Sequence, residues 1–158
     1  MSARYIVGDV RDVLATIPDG SIDLVLTSPP FLALRSYLPA DHEHKGAEIG
    51  SEPDPATFLD TLLALTAEWG RVLAPWGSIA IELGDTYAGT NPKAALDAEV
   101  WRGDGGTDGG MGDGRANKKT GGRGWPANKS LALIPQAYAM SLAYGRNIIT
   151  GAESPAGQ

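Results

Sequence analysis

Ile22-Asp23-Leu24-Val25-Leu26-Thr27-Ser28-Pro29-Pro30-Phe31 decides the fold of this chain. Its first five residues make the short apolar run expected of a buried strand. Neither proline that follows has a backbone N–H to give a sheet ladder, so the strand stops at Thr27 or Ser28. Prolines also hold the preceding residues extended, and the chain leaves in a stiff turn. A hydroxyl, a carbonyl of restricted geometry and an aromatic ring are thereby gathered at the carboxyl end of a strand. That group suits a flat, polar, aminated ring such as a nucleobase. Taken alone, a proline-rich strand exit that merely turns the chain is the simpler reading.

On the N-terminal side, residues 4–8 read as another strand. Val10, Val13, Leu14 and Ile17 then recur at helical spacing until Pro18-Asp19-Gly20. Strand, helical crossover and strand make a βαβ unit, which is almost always parallel and right-handed. On the C-terminal side, Asp54-Pro55 starts a helix, with Asp as N-cap and Pro at the first helical position. Phe58, Leu62, Leu65, Trp69 and Val72 give that helix one apolar face. Pro75 and Gly77 end it, and residues 78–83 read as a third strand. The expected class is α/β with a mostly parallel sheet. Gly8-Asp9, Thr27-Ser28 and Gly84-Asp85 each fall just past a strand's carboxyl end, the edge where open parallel sheets bind ligands.

Residues 103–114 are almost entirely glycine and aspartate, low in complexity and unable to bury a core. The chain therefore divides into an α/β half-domain (1–87), a long Gly-rich loop (88–128) and a terminal helix with a tail (129–158). Leu131, Ile134, Tyr138 and Leu142 mark the last helix, with Pro135 in its first turn and Gly145 beyond its end. The tail has turn chemistry without a clear partner strand. Arg115, Lys118, Lys119, Arg123 and Lys129 share a window free of acidic residues. They fit contacts to DNA phosphates and fit a solvated loop equally well. Trp101 and Trp125 flank the loop; packing is the plainer explanation for both.

The totals bound the function. The 158 residues suffice for one domain with a real core, and 42% hydrophobic with 20% charged content is that of a globular protein. Without cysteine there are neither disulfides nor thiolate metal sites. No apolar run reaches bilayer length and the N-terminus lacks a signal pattern, so a cytoplasmic location is expected. The net charge of −6 is unusual for a duplex-binding domain, whose affinity comes largely from neutralised phosphates. His42 and His44 lie in a polar connector and are too few to hold a metal; no metal is expected.

The central stretch resembles the Ser/Asp/Asn-Pro-Pro-Tyr/Phe signature of DNA methyltransferases that modify exocyclic amino groups, in the permuted type that carries the motif early. Residues 5–14 and 17–24 are similar to that family's opening. Arg71-Val72-Leu73-Ala74-Pro75-Trp76-Gly77-Ser78 and Leu83-Gly84-Asp85-Thr86-Tyr87 resemble its middle, and Lys129-Ser130-Leu131-Ala132-Leu133-Ile134-Pro135 a later landmark. The resemblance implies a partial Rossmann-like fold that uses S-adenosylmethionine on double-stranded DNA, as in restriction-modification. Serine at position 28 leans toward cytosine N4 over adenine N6. It places Ser28, Pro29, Pro30 and Phe31 in catalysis and Gly8, Asp9, Thr27 and Asp85 against the cofactor. Asp9 also suits a helix N-cap, and Asp85 a turn. The family's Phe-x-Gly-x-Gly loop does not occur after Phe31, and three strands fall short of the usual five to seven. The chain thus reads as the N-terminal catalytic half, completed by a second chain or by self-association. The alternative is a non-catalytic remnant that binds nucleic acid or a partner.

Overall fold

The computed structural model describes residues 3–39, 41–89 and 123–156. Asp9 caps helix α1 (Val10–Ala15), its carboxylate accepting the Arg11 N–H at 2.9 Å. Strand β1 (Ile22–Thr27) ends where the prolines require. Helix α2 (Pro55–Val72) begins at the expected proline. Asp54 accepts both the backbone N–H and the hydroxyl of Thr57 there, at 2.9 and 3.0 Å. Strand β2 (Leu73–Ile81) follows directly, and helix α3 (Ile134–Tyr144) ends at Gly145, whose φ of 62° is the left-handed conformation of a helix terminus.

β1 and β2 pair in parallel, joined by the α2 crossover, so the strand–helix–strand expectation holds here. The register jumps from Ile22↔Leu73 to Leu24↔Ser78, leaving residues 74–77 as a bulge opposite Asp23. The Trp76 indole N–H spans the bulge to Asp23 at 2.9 Å. The turn signal of Pro75 and Gly77 therefore marks a bulge inside a strand. β2 starts earlier than the expected residue 78 and ends at Ile81 rather than 83.

Residues 4–8 do not form the expected strand; they are irregular and exposed, Val7 completely so. The cause is that a strand's hydrogen bonds belong to its neighbour. The sheet has two strands among the described residues, and neither pairs with this segment. One face of the sheet is exposed among the described residues. Leu24 and Leu26, the latter 77% exposed, line it beside Ser78 and Ala80. Parallel sheets ordinarily have both faces covered.

The chain forms two compact units. One comprises Met1–Pro29, Leu59–Leu83 and Pro135–Gln158; the other comprises Pro30–Phe58 and Gly84–Ile134. In the first, Leu62, Leu65, Trp69 and Val72 of the predicted stripe are buried, together with Leu59 and Leu63, which lie outside it. Arg71 fastens α1 by donating to the Leu14 carbonyl at 2.8 Å and the Ile17 carbonyl at 3.1 Å. Thr66 and the Tyr138 hydroxyl are 2.5 Å apart within this core. The tail is better anchored than its sequence suggests. Asn147 is buried, donates to Asp60 at 2.6 Å and closes a turn with Ala152 and Gly151.

Candidate functional site

The ladder closes at the end of β1, where the Thr27 carbonyl accepts the Glu82 N–H at 3.0 Å. Ser28 beyond it is exposed, while Pro29 is buried. Among the described residues, neither the Ser28 hydroxyl nor the Pro29 carbonyl has a hydrogen-bond partner within the chain. Two adjacent acceptors thus stand unengaged at a strand's carboxyl end, on backbone stiffened by two prolines.

Pro30 and Phe31 open the second unit, where two glycines shape their seat. Gly50, at φ 84°, passes so close that an added Cβ would lie 2.8 Å from the Phe31 carbonyl and 3.2 Å from Pro30 Cβ. Its own carbonyl accepts the Ala33 N–H at 2.9 Å. Gly84 lies against the ring itself: a Cβ there would fall 2.5 Å from both Cδ2 and Cε2 of Phe31. Leu32 is buried, and Ala33 takes a left-handed φ of 57°. Such strain in a residue other than glycine is held in place only by its surroundings. Gly50 escaped the sequence reading because it lies twenty positions from the motif it supports. Gly84 is legible as part of a polar strand end, though not as a ring seat.

The loop after Phe31 is pinned by Glu48, another residue that sequence reasoning missed. Its carboxylate accepts from the backbone N–H groups of Tyr37 and Leu38, the Ser51 hydroxyl and the Lys45 ammonium, the last at 2.5 Å. Burial pushes its pKa up, but Lys45 and these N–H and O–H donors outweigh that and lower it to about 2. No regular pattern announces such a knot, since it sits in a polar connector.

Asp9 and Asp85, expected against a cofactor, both serve the chain itself. Asp9 holds the Arg11 guanidinium, at 2.6 Å to the nearer nitrogen, besides capping α1. Asp85 accepts from the N–H groups of Thr86, Leu133 and Ile134 at 2.8, 3.0 and 3.2 Å. Gly8 is exposed and Thr27 half-buried. Asp9 is exposed as well. Nothing among the described residues forms a glycine loop for the methionine end. Of the basic window, Arg123 and Lys129 are exposed, while Arg115, Lys118 and Lys119 lie outside the described residues, as does Trp101. Trp125 donates its indole N–H to the Pro53 carbonyl at 2.8 Å, consistent with a packing role.

Known proteins similar to this chain are methyltransferases. The Type II methyltransferase M.SfiI of Streptomyces fimbriatus is 33% identical over 86% of this chain, an alignment spanning 26% of its own length. The Type II methyltransferase M.XycI of Xanthomonas campestris pv. cyanopsidis is 38% identical over 53% of this chain and 26% of its length. A release factor glutamine methyltransferase of Streptomyces coelicolor is 29% identical over 57% of this chain and 33% of its length. The chain thus spans about a quarter of the Type II enzymes it matches. No family model matches it. No solved structure matches it either.

Proposed function

We propose that this chain, similar to the Type II methyltransferases M.SfiI and M.XycI, carries the amino-group-binding half of a site-specific DNA methyltransferase. The acceptor is an exocyclic amino group of a base flipped out of double-stranded DNA, with cytosine N4 favoured over adenine N6. The observation that carries the reading is the pair of unengaged acceptors, Ser28 Oγ and Pro29 O, at the end of a parallel strand.

The chemistry asks little else of the protein. An exocyclic amino nitrogen is a weak nucleophile because its lone pair is delocalised into the ring. Ser28 Oγ and Pro29 O would accept its two N–H groups and orient that lone pair out of the ring plane. Pro30 keeps the carbonyl from swinging away. Phe31, seated on Gly84, would stack on the flipped ring. When bound, S-adenosylmethionine supplies a methyl group on a sulfonium, already activated toward attack. The proton released as nitrogen gains carbon leaves along the hydrogen bond to exposed Ser28 Oγ, which meets water. Gly8, Asp9 and Thr27 would hold the adenosine end, with Asp85 keeping the approach in shape. Arg115, Lys118, Lys119 and Arg123 would contact phosphates.

Further polypeptide, from a second chain or another copy, would complete the cofactor site and cover Leu24 and Leu26; a partner restriction enzyme fits the same setting. A second reading, a nucleic-acid- or partner-binding remnant, is favoured by the engagement of both Asp9 and Asp85 within the chain. Calorimetric titration with S-adenosylmethionine separates the two. One-to-one binding that Asp9→Ala abolishes supports the enzyme; a folded chain with no binding leaves the remnant.

A further inference from the structure

Residues 35–38 come shortly after the Pro-Pro-Phe turn, and their exposure alternates. Arg35 and Tyr37 are exposed, Tyr37 to 60%, whereas Ser36 between them is half-buried and receives the Lys45 ammonium. Glu48, only 5% exposed, fixes the backbone at Tyr37 and Leu38. The effect is to hold in place the backbone from which Tyr37 projects, two residues after Arg35. Both are without partners: among the described residues, the Arg35 guanidinium has no hydrogen bond or ion pair, and the Tyr37 hydroxyl has no hydrogen bond. Arg11 and Arg71, by contrast, are each paired with carboxylates.

We infer that Arg35 and Tyr37, a few residues beyond the Pro-Pro-Phe turn in sequence, form a DNA contact. Arg35 binds a backbone phosphate, and Tyr37 stacks on a base of the strand that carries the acceptor. A guanidinium fork matches phosphate geometry, and an exposed ring offers every base a stacking face. In a chain of net charge −6, duplex affinity must come from a few cations placed where the acidic residues do not reach. A loop ordered before binding loses little freedom on complex formation. The inference rests on the DNA-directed reading above.

The test is fluorescence anisotropy of a labelled duplex with the full chain, across a range of salt concentrations. Arg35→Ala is expected to weaken binding to all sequences alike and to reduce the log–log salt slope by about 0.9, one phosphate's share. Tyr37→Ala should weaken binding about tenfold with the slope intact, while Tyr37→Phe keeps the affinity, since the ring does the stacking. Thermal midpoints should not move, because both side chains are exposed and unbonded. An unchanged slope in Arg35→Ala, or a Tyr37→Phe as weak as Tyr37→Ala, overturns this contact and leaves the methyltransferase reading standing. If Arg35→Ala and Tyr37→Ala both match the unsubstituted chain, the surface serves another partner, such as a protein, and the contact is likewise overturned. No duplex binding by the unsubstituted chain overturns the contact and the DNA-directed reading together.

Discussion

Replacing Gly50 by alanine tests whether this glycine supports the Pro-Pro-Phe turn. Two separate costs follow from the structure. An L-residue at φ 84° pays for the left-handed conformation, about 1–2 kcal/mol, partly offset by about 0.4–1 kcal/mol of lost freedom in the unfolded chain. The new methyl would also sit 2.8 Å from the Phe31 carbonyl and 3.2 Å from Pro30, so backbone must move. Overpacking of that kind costs about 1–3 kcal/mol. Gly151 supplies a matched control: its φ is 80°, yet an added Cβ would meet nothing within 4 Å. Gly151→Ala should therefore cost about 1 kcal/mol and Gly50→Ala about 3 kcal/mol. At roughly 2–4 °C per kcal/mol for a chain of this size, the thermal midpoints should separate by several degrees. Urea unfolding of the two variants beside the parent measures the difference directly. Equal losses, within ~0.5 kcal/mol, would refute the idea that residue 50 bears on the motif.

Two further outcomes are expected. Glu48, lowered from an ordinary 4.5 to about 2, has a depressed folded-state pKa, so its contribution is complete above about pH 4.5 and fades as pH falls toward 2. The gap is worth about 3 kcal/mol; Glu48→Gln should lose about that much at pH 7, and the deficit in urea stability should shrink steadily below pH 4. Ser28→Ala removes an exposed, unbonded hydroxyl, so stability should stay within ~0.5 kcal/mol. Methyl transfer by the completed enzyme should fall about a hundredfold, and an unaffected rate would remove Ser28 from the reaction.

What the sequence revealed was local. The end of β1 follows from two missing N–H groups, and the start of α2 from Asp54 and Pro55, each decided within a few residues. The stripe of Phe58, Leu62, Leu65, Trp69 and Val72 follows from spacing, whereas the burial of Leu59 and Leu63 beside it does not. Residues 4–8 have the composition of a strand, but composition cannot supply the neighbour that makes one. Pro75 and Gly77 read in sequence as the end of the helix before a strand at residue 78, but the helix ends at Val72 and both residues fall in a bulge inside a strand that has already begun at Leu73. The seats under Pro30 and Phe31 were hidden for a different reason: Gly50 and Gly84 act by being close, and closeness across twenty or fifty positions leaves no mark on spacing. Glu48 looks like an ordinary solvated acid until its donors are assembled around it.

The order of the sheet has a consequence for synthesis. Forty-five residues, 28–72, separate the end of β1 from the start of β2. At ~5–20 residues per second, a ribosome takes roughly 2–9 s to make them. Throughout that interval β1 exists with both edges open. The hazard of misassociation in the nascent chain is therefore set by the pace of translation and by whichever chaperone reaches the strand first.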